Sequence, residues 1–164
     1  MKKYLLEGIE PVRVLRIFED ICAIPHGSRN EWRLGEYVLN IAGERGLEAQ
    51  RDETGNIFIV LPATPGFEHI APILLQGHMD MVCVKNPDCS KDLDREPIDL
   101  ILDGNILRAD GTSLGADNAV GLSNMIALME EEGLLHPKIE LLFTVCEEIG
   151  NEGIRRFDMT KIKA

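Results

Sequence analysis

The sequence predicts a layered α/β domain, with a mixed, mostly buried sheet flanked by helices. Three observations carry this expectation. Segments with apolar residues at helical spacing alternate with short apolar runs along the chain. Two of those runs, at 73–75 and 138–145, lack the polar alternation of a half-exposed strand and suit central strands of a buried sheet. Finally, Gly55-Asn56 and Asp103-Gly104-Asn105 each stand between strand-like segments, where hairpin turns use such residues.

The elements follow in order. Residues 11–21 space their apolar side chains as a helix does, and Pro11 stands where a first turn tolerates proline. Ser28 or Asn30 is expected to cap a second helix that runs to about Arg45, with Gly46 as its stop. Strands are expected at 48–52 and 57–61, then a loop over 62–69 and a short, fully apolar central strand at 73–75. Residues 85–97 are polar and irregular and read as a surface excursion. The pair 100–102 and 106–108 forms a second hairpin. Residues 118–132 read as a helix that offers Val120, Ile126, Leu128 and Met129 for burial and ends at Gly133. The run 138–145 is a further central strand. There is no internal repeat and no low-complexity linker.

Length and composition bound the function. A chain of 164 residues fits one ordinary domain, and its 45% apolar and 27% charged content is that of a soluble globular protein. Lys and Arg number 17 against 28 Asp and Glu, a balance of −11 that disfavours a nucleic-acid backbone as partner. Most of that acidity reads as surface charge. The N-terminus starts like a signal peptide, but Glu7, Glu10 and Arg13 interrupt its apolar segment. No uninterrupted apolar run approaches the about 20 residues of a membrane span, so no membrane partner is expected. Cys22, Cys83, Cys89 and Cys146 lack paired C-x-x-C spacing, and reduced thiols in a cytoplasmic setting are expected. Cys146 reads as a small core residue.

Three groups of metal-liking residues end or follow strand-like runs: Gly77-His78-Met79-Asp80, Gly115-Ala116-Asp117-Asn118 and Cys146-Glu147-Glu148. His78 emerges near the carboxyl end of its strand, where open α/β sheets place their sites, and neutral imidazole binds zinc. Asp80, two residues on, suits a carboxylate that fixes the imidazole's orientation. Asp117 has the plain alternative of a helix N-cap, yet a carboxylate there can also bridge two cations. Adjacent Glu147 and Glu148 raise each other's pKa unless a cation or a reaction uses them. Singly, a structural histidine, a cap and a solvated acid pair explain these residues as well. Their conjunction favours a metal site. Gly111-Thr112-Ser113-Leu114-Gly115 lacks the ending of a phosphate-binding loop, and no Gly-x-Ser-x-Gly elbow is present. His26, His69 and His136 read as surface residues, and Trp32 as a packing residue of the second helix.

At these residues the chain resembles the M20 family of di-metal peptidases, most closely its aminoacyl-histidine (Xaa-His) dipeptidase branch. The matching segments are Leu75-Gln76-Gly77-His78-Met79-Asp80-Met81-Val82, Asp110-Gly111-Thr112-Ser113-Leu114-Gly115-Ala116-Asp117-Asn118 and Phe143-Thr144-Val145-Cys146-Glu147-Glu148-Ile149-Gly150. Pro62-Ala63-Thr64-Pro65-Gly66 and Lys85-Asn86-Pro87-Asp88 look like that branch in particular. The resemblance implies two divalent cations, zinc, cobalt or manganese. His78 would bind one, Asp117 would bridge both and Glu148 would bind the second. Asp80 would orient His78. Glu147 would be the general base, taking a proton from the bridging water and passing it to the departing amine. The implied substrates are short, unblocked dipeptides.

Family members are much longer. They add a further acidic ligand, a metal-binding histidine and a lid or dimerisation domain, none of which the 164 residues contain. The expectation is therefore the N-terminal part of a zinc-peptidase catalytic domain, short of the three protein ligands a catalytic zinc usually has and inactive alone. Missing strands would leave a sheet edge through which copies associate. A related tripeptidase or deacylase is the alternative within the family. A non-catalytic metal- or partner-binding remnant is the alternative of another class.

Overall fold

The computed structural model describes residues 3–164. Along the chain it forms α1 (Val12–Cys22), α2 (Trp32–Glu44), β1 (Glu48–Arg51), β2 (Ile57–Leu61), β3 (Ile73–His78), β4 (Leu100–Asp103), β5 (Ile106–Ala109), α3 (Ala116–Glu130) and β6 (Ile139–Thr144), then two short 3-10 turns at Ile154–Arg156 and Met159–Lys161. Met1 and Lys2, the start of the leader-like stretch, lie outside the described residues. No helix among the described residues is long and apolar enough to cross a membrane.

The main sheet has the order β1-β2-β6-β3, and β4-β5 is a separate hairpin. β6, the run without a polar face, is buried along its whole length. It pairs antiparallel with β2 and parallel with β3. The sheet is therefore mixed, as the sequence predicts. Period-2 alternation sorts the side chains into two layers. Ile57, Ile59, Leu61, Ile139, Leu141 and Phe143 join Ile17, Ile21, Leu34, Val38, Leu122 and Ile126 of the helices in the main core. On the opposite face Phe58 and Leu142 pack with Phe157 from the segment after β6, the two phenyl rings 5.8 Å apart. The three helices thus cover one face, and the C-terminal turns cover the other.

Several local expectations differ. The run at 73–75 opens β3, but β3 ends the described sheet and Ile73 is 47% exposed, so this apolar strand is not central. Neither Ser28 nor Asn30 caps α2; Glu31 holds the N-cap position without a side-chain cap bond, and Ser28 donates to Asp80 instead. Gly46 does stop α2, at φ +64 with its N–H on Gly43 O, the left-handed conformation that glycine adopts without penalty. Helix α3 starts and ends two residues before the expected 118–132; within it Val120 is exposed while Leu122 and Met125 are buried. Trp32 is 65% exposed, with the Arg51 guanidinium stacked over its ring at 3.8 Å. His26 is buried rather than on the surface: its Nδ1 donates to Ile24 O at 2.6 Å and its carbonyl accepts from Met81 N. Burial lowers its pKa, although the Ile24 bond and nearby Asp80 act the other way. No disulfide joins any of the four cysteines among the described residues, and Cys146 is buried as expected.

Candidate metal centre

Parallel pairing assembles the centre. Because β3 and β6 run the same way, with His78 opposite Thr144, their carboxyl ends lie side by side and the chain leaves both at one edge. His78 is the last residue of β3, and Glu147-Glu148 follow three residues after β6. Helix α3 brings the third group. Its packing on β3 depends on Gly77, where an added Cβ would meet Leu122 Cδ2 at 3.1 Å and Met125 Sδ at 3.3 Å. At Gly115 the φ of +69 would strain any other residue, and an added Cβ would meet Met81 Sδ at 2.7 Å and force that side chain to move. Asp117 follows directly. Its backbone is not helical and its side chain makes no cap, so the plain N-cap reading does not hold. The Asp117–Asn118 peptide bond is cis.

The side chains converge on one imidazole. His78 Nε2 lies 3.0 Å from Asp117 Oδ1 and 4.0 Å from Glu147 Oε2. One atom each from His78, Glu147 and Glu148 fall within 4.8 Å of one another. The Asp117 carboxylate is 85% exposed, on the open side of the cluster. On its other nitrogen, His78 Nδ1 donates to the backbone carbonyl of Asp80 at 2.9 Å, with the Asp80 carboxylate at 3.5 Å. The carboxylate thus adds charge beside the ring, while the carbonyl supplies the closer hydrogen bond and selects the tautomer that leaves Nε2 facing the acids.

The charged groups gathered here act strongly on one another. Bonding to Asp80 pushes His78 up to about 9 against the opposing effect of burial, with Asp117 adding to the rise. Glu148 is also raised, first by desolvation and then by Glu147, Asp80 and Asp117, with His78 pulling the other way. Burial works against ionisation of Asp80, but bonds from His78, Ser28, Glu147 N and Glu148 N outweigh it and hold the group at about 2. A buried imidazole with two adjacent carboxylates is the donor chemistry of zinc and similar divalent cations, so the residues fit such an ion.

Two participants are absent from the sequence motifs. Ser28 Oγ donates to Asp80 Oδ2 at 2.7 Å, and buried Glu31 accepts from Cys146 N at 2.9 Å. No local spacing reveals them, because they reach the centre across 52 and 115 residues of sequence. Asn56, buried in the β1–β2 turn, supports the start of the same loop: it accepts from Val145 N and donates to Gly153 O.

No family model matches the chain. A curated relative does: the cytosol non-specific dipeptidase of Escherichia coli (strain K12) is 42% identical over 148 residues, which is 90% of this chain and 30% of the relative. The crystal structure of aminoacylhistidine dipeptidase from Vibrio alginolyticus superposes with a TM-score of 0.93 at 38% identity, over 97% of this chain and 32% of that one. A Bacillus subtilis protein, described as a dinuclear metal-binding peptidase of the M20 family, shares the fold alone, at TM-score 0.54 and 15% identity over 87% of this chain and 37% of that one. The chain spans about a third of the length of the dipeptidases it matches.

Proposed function

We propose, from the premise that this chain belongs to the M20 peptidase family, that it carries part of the active site of a metal-dependent dipeptidase of the Xaa-His type. The observation that carries this reading is the convergence of His78, Asp117, Glu147 and Glu148 at the joined ends of β3 and β6. In it His78 and Asp117 hold one divalent cation, and Asp117 and Glu148 hold a second. Zinc is the first choice for both, with cobalt or manganese as substitutes. When bound, the cations supply Lewis-acid polarisation of the scissile carbonyl and acidify water.

The remaining work falls to the chain's own side chains. Glu147, about one-third exposed and with Oε2 4.0 Å from His78 Nε2, is placed to take a proton from the attacking water and hand it to the departing amine. In this reading its neighbour Glu148 binds a cation, which leaves Glu147 for the proton transfer. The Asp80 carbonyl orients the His78 ring through the bond to Nδ1, so that Nε2 faces the acids, and the Asp80 carboxylate holds the backbone of both glutamates. The substrate in this reading is a short peptide in a cytoplasmic setting, and two copies associate through the open side of β3.

Calorimetric titration of the 164-residue chain with zinc tests the assignment. Uptake is expected to be weak, since the chain supplies two protein ligands per ion where catalytic zinc usually has three. It should fall at least about tenfold in His78→Ala and in Asp117→Ala. Unchanged uptake in both variants sinks the metal assignment. The zinc-loaded chain by itself is expected to turn over little or no dipeptide, and readily measured hydrolysis would contradict that ligand count.

A further inference from the structure

Three consecutive backbone N–H groups after β6 each end on a buried carboxylate. Cys146 N donates to Glu31 Oε1 at 2.9 Å, Glu147 N to Asp80 Oδ1 at 2.9 Å and Glu148 N to Asp80 Oδ2 at 3.1 Å. Asp80 stands two residues from His78 and belongs to the centre itself. Glu31 comes from elsewhere, the start of α2 in the helical layer, and only 5% of it is exposed. Its Oε1 also accepts from the Cys146 thiol at 3.5 Å; burial first, and then the Glu31 charge, push that thiol up to about 11. Ser28, three residues earlier, donates to Asp80, so one short segment supports both carboxylates.

The residue Glu31 grips is the one in an unusual conformation. Cys146 has φ +54, a left-handed geometry that side chains other than glycine and asparagine rarely adopt. That turn redirects the chain at the end of β6 and sets where the next two side chains point. A buried N–H left without an acceptor is costly, and a carboxylate accepts it with the strength of a charge-assisted bond.

We propose that Glu31 is a positioning residue for the metal centre: by holding Cys146 N–H it fixes the left-handed turn that aims Glu147 and Glu148 at His78. This rests on the metal-binding reading of the centre. Glu31 reaches neither the cation nor the substrate. It acts through the loop.

The test uses the 164-residue chain with Glu31→Ala and Glu31→Gln, read by calorimetric zinc titration and by amide hydrogen exchange of the metal-free protein. Glutamine keeps an acceptor oxygen at the same reach. Zinc affinity should fall about tenfold in Glu31→Ala and stay within about threefold of wild type in Glu31→Gln. Exchange at residues 146–148 should accelerate in the alanine variant alone, with the strands unchanged. Wild-type affinity in a folded Glu31→Ala overturns the proposal, as does a glutamine variant as weak as alanine. Should the alanine variant fail to fold, a Cys146 amide unprotected in the wild type overturns it, and a protected amide that glutamine retains supports it. If the wild type takes up no zinc, the metal reading fails by itself. The exchange comparison then decides the clamp: faster exchange at 146–148 supports it, and unchanged exchange overturns it.

Discussion

A carboxylate that accepts from Ser28 Oγ, Glu147 N and Glu148 N, as Asp80 does, is held as an anion because donors fill its lone pairs and little water is needed. Burial alone would raise its pKa, but the bonds from His78, Ser28 and the two amides bring it from 3.8 to about 2. A folded-state value below the unfolded one means that the anion stabilises the fold. That contribution is complete above about pH 3.8 and is lost as pH falls through about 2. Asp80→Asn should therefore lower unfolding free energy at neutral pH by about 2 kcal/mol, since an amide cannot accept three donors at once. Urea midpoints should show the gap between wild type and variant closing between pH 4 and 2 (roughly the interval set by linkage). A gap independent of pH would refute the role given to the charge. At this scale the sequence made His78, Asp80, Asp117, Glu147 and Glu148 legible as chemistry. It left Ser28 and Glu31 invisible, since an isolated serine or glutamate carries no sign of the amide it will meet.

Elements bring these residues together by two packing events, the parallel docking of β3 on β6 and the seating of α3 against β3. Both depend on close approach, and glycine marks where. A Cβ at Gly77 would press on Leu122 and Met125, flexible side chains that give by a few tenths of an ångström. At Gly153 the obstacles are Val145 N at 2.8 Å, Asn56 Oδ1 at 2.6 Å and Val145 O, backbone and a bonded amide that have nowhere to go. Gly77→Ala should thus cost about 1 kcal/mol and Gly153→Ala about 3 kcal/mol or more, compared by urea unfolding. Equal costs would mean that the loop after β6 is looser than its bonds imply. Strand positions were readable from apolar runs and turn residues. The place of β3 was not, because an all-apolar strand looks the same in sequence whether it lies in the middle of a sheet or at its end.

For the molecule as a whole, the two faces of the sheet are sealed by different means. Helices close one side; on the other, the chain after β6 folds back over Phe58 and Leu142. A charged residue organises that second layer. Glu140, fully buried in the central strand, pairs with Lys138 Nζ at 2.6 Å and accepts from Lys163 N and Ala164 N. Burial opposes its ionisation, but Lys138 and the two amides lower its pKa on balance. Lys138→Met would strand that charge and should cost about 3 kcal/mol, visible as a drop in thermal midpoint. A change under about 0.5 kcal/mol, typical of an exposed pair, would show that water already screens the site. By itself the sequence determined the α/β class, nearly every strand and helix, the acidic surface and the chemistry-bearing residues, because periodicity, turn residues and donor types are local properties. Tertiary structure alone decided that β3 pairs parallel to β6, that His26 is buried and Trp32 exposed, and that Asp80 and Glu31 hold the glutamate loop. The hold on that loop spans 67 to 115 residues of chain, and a hydrogen bond over such a span leaves no spacing for the sequence to display.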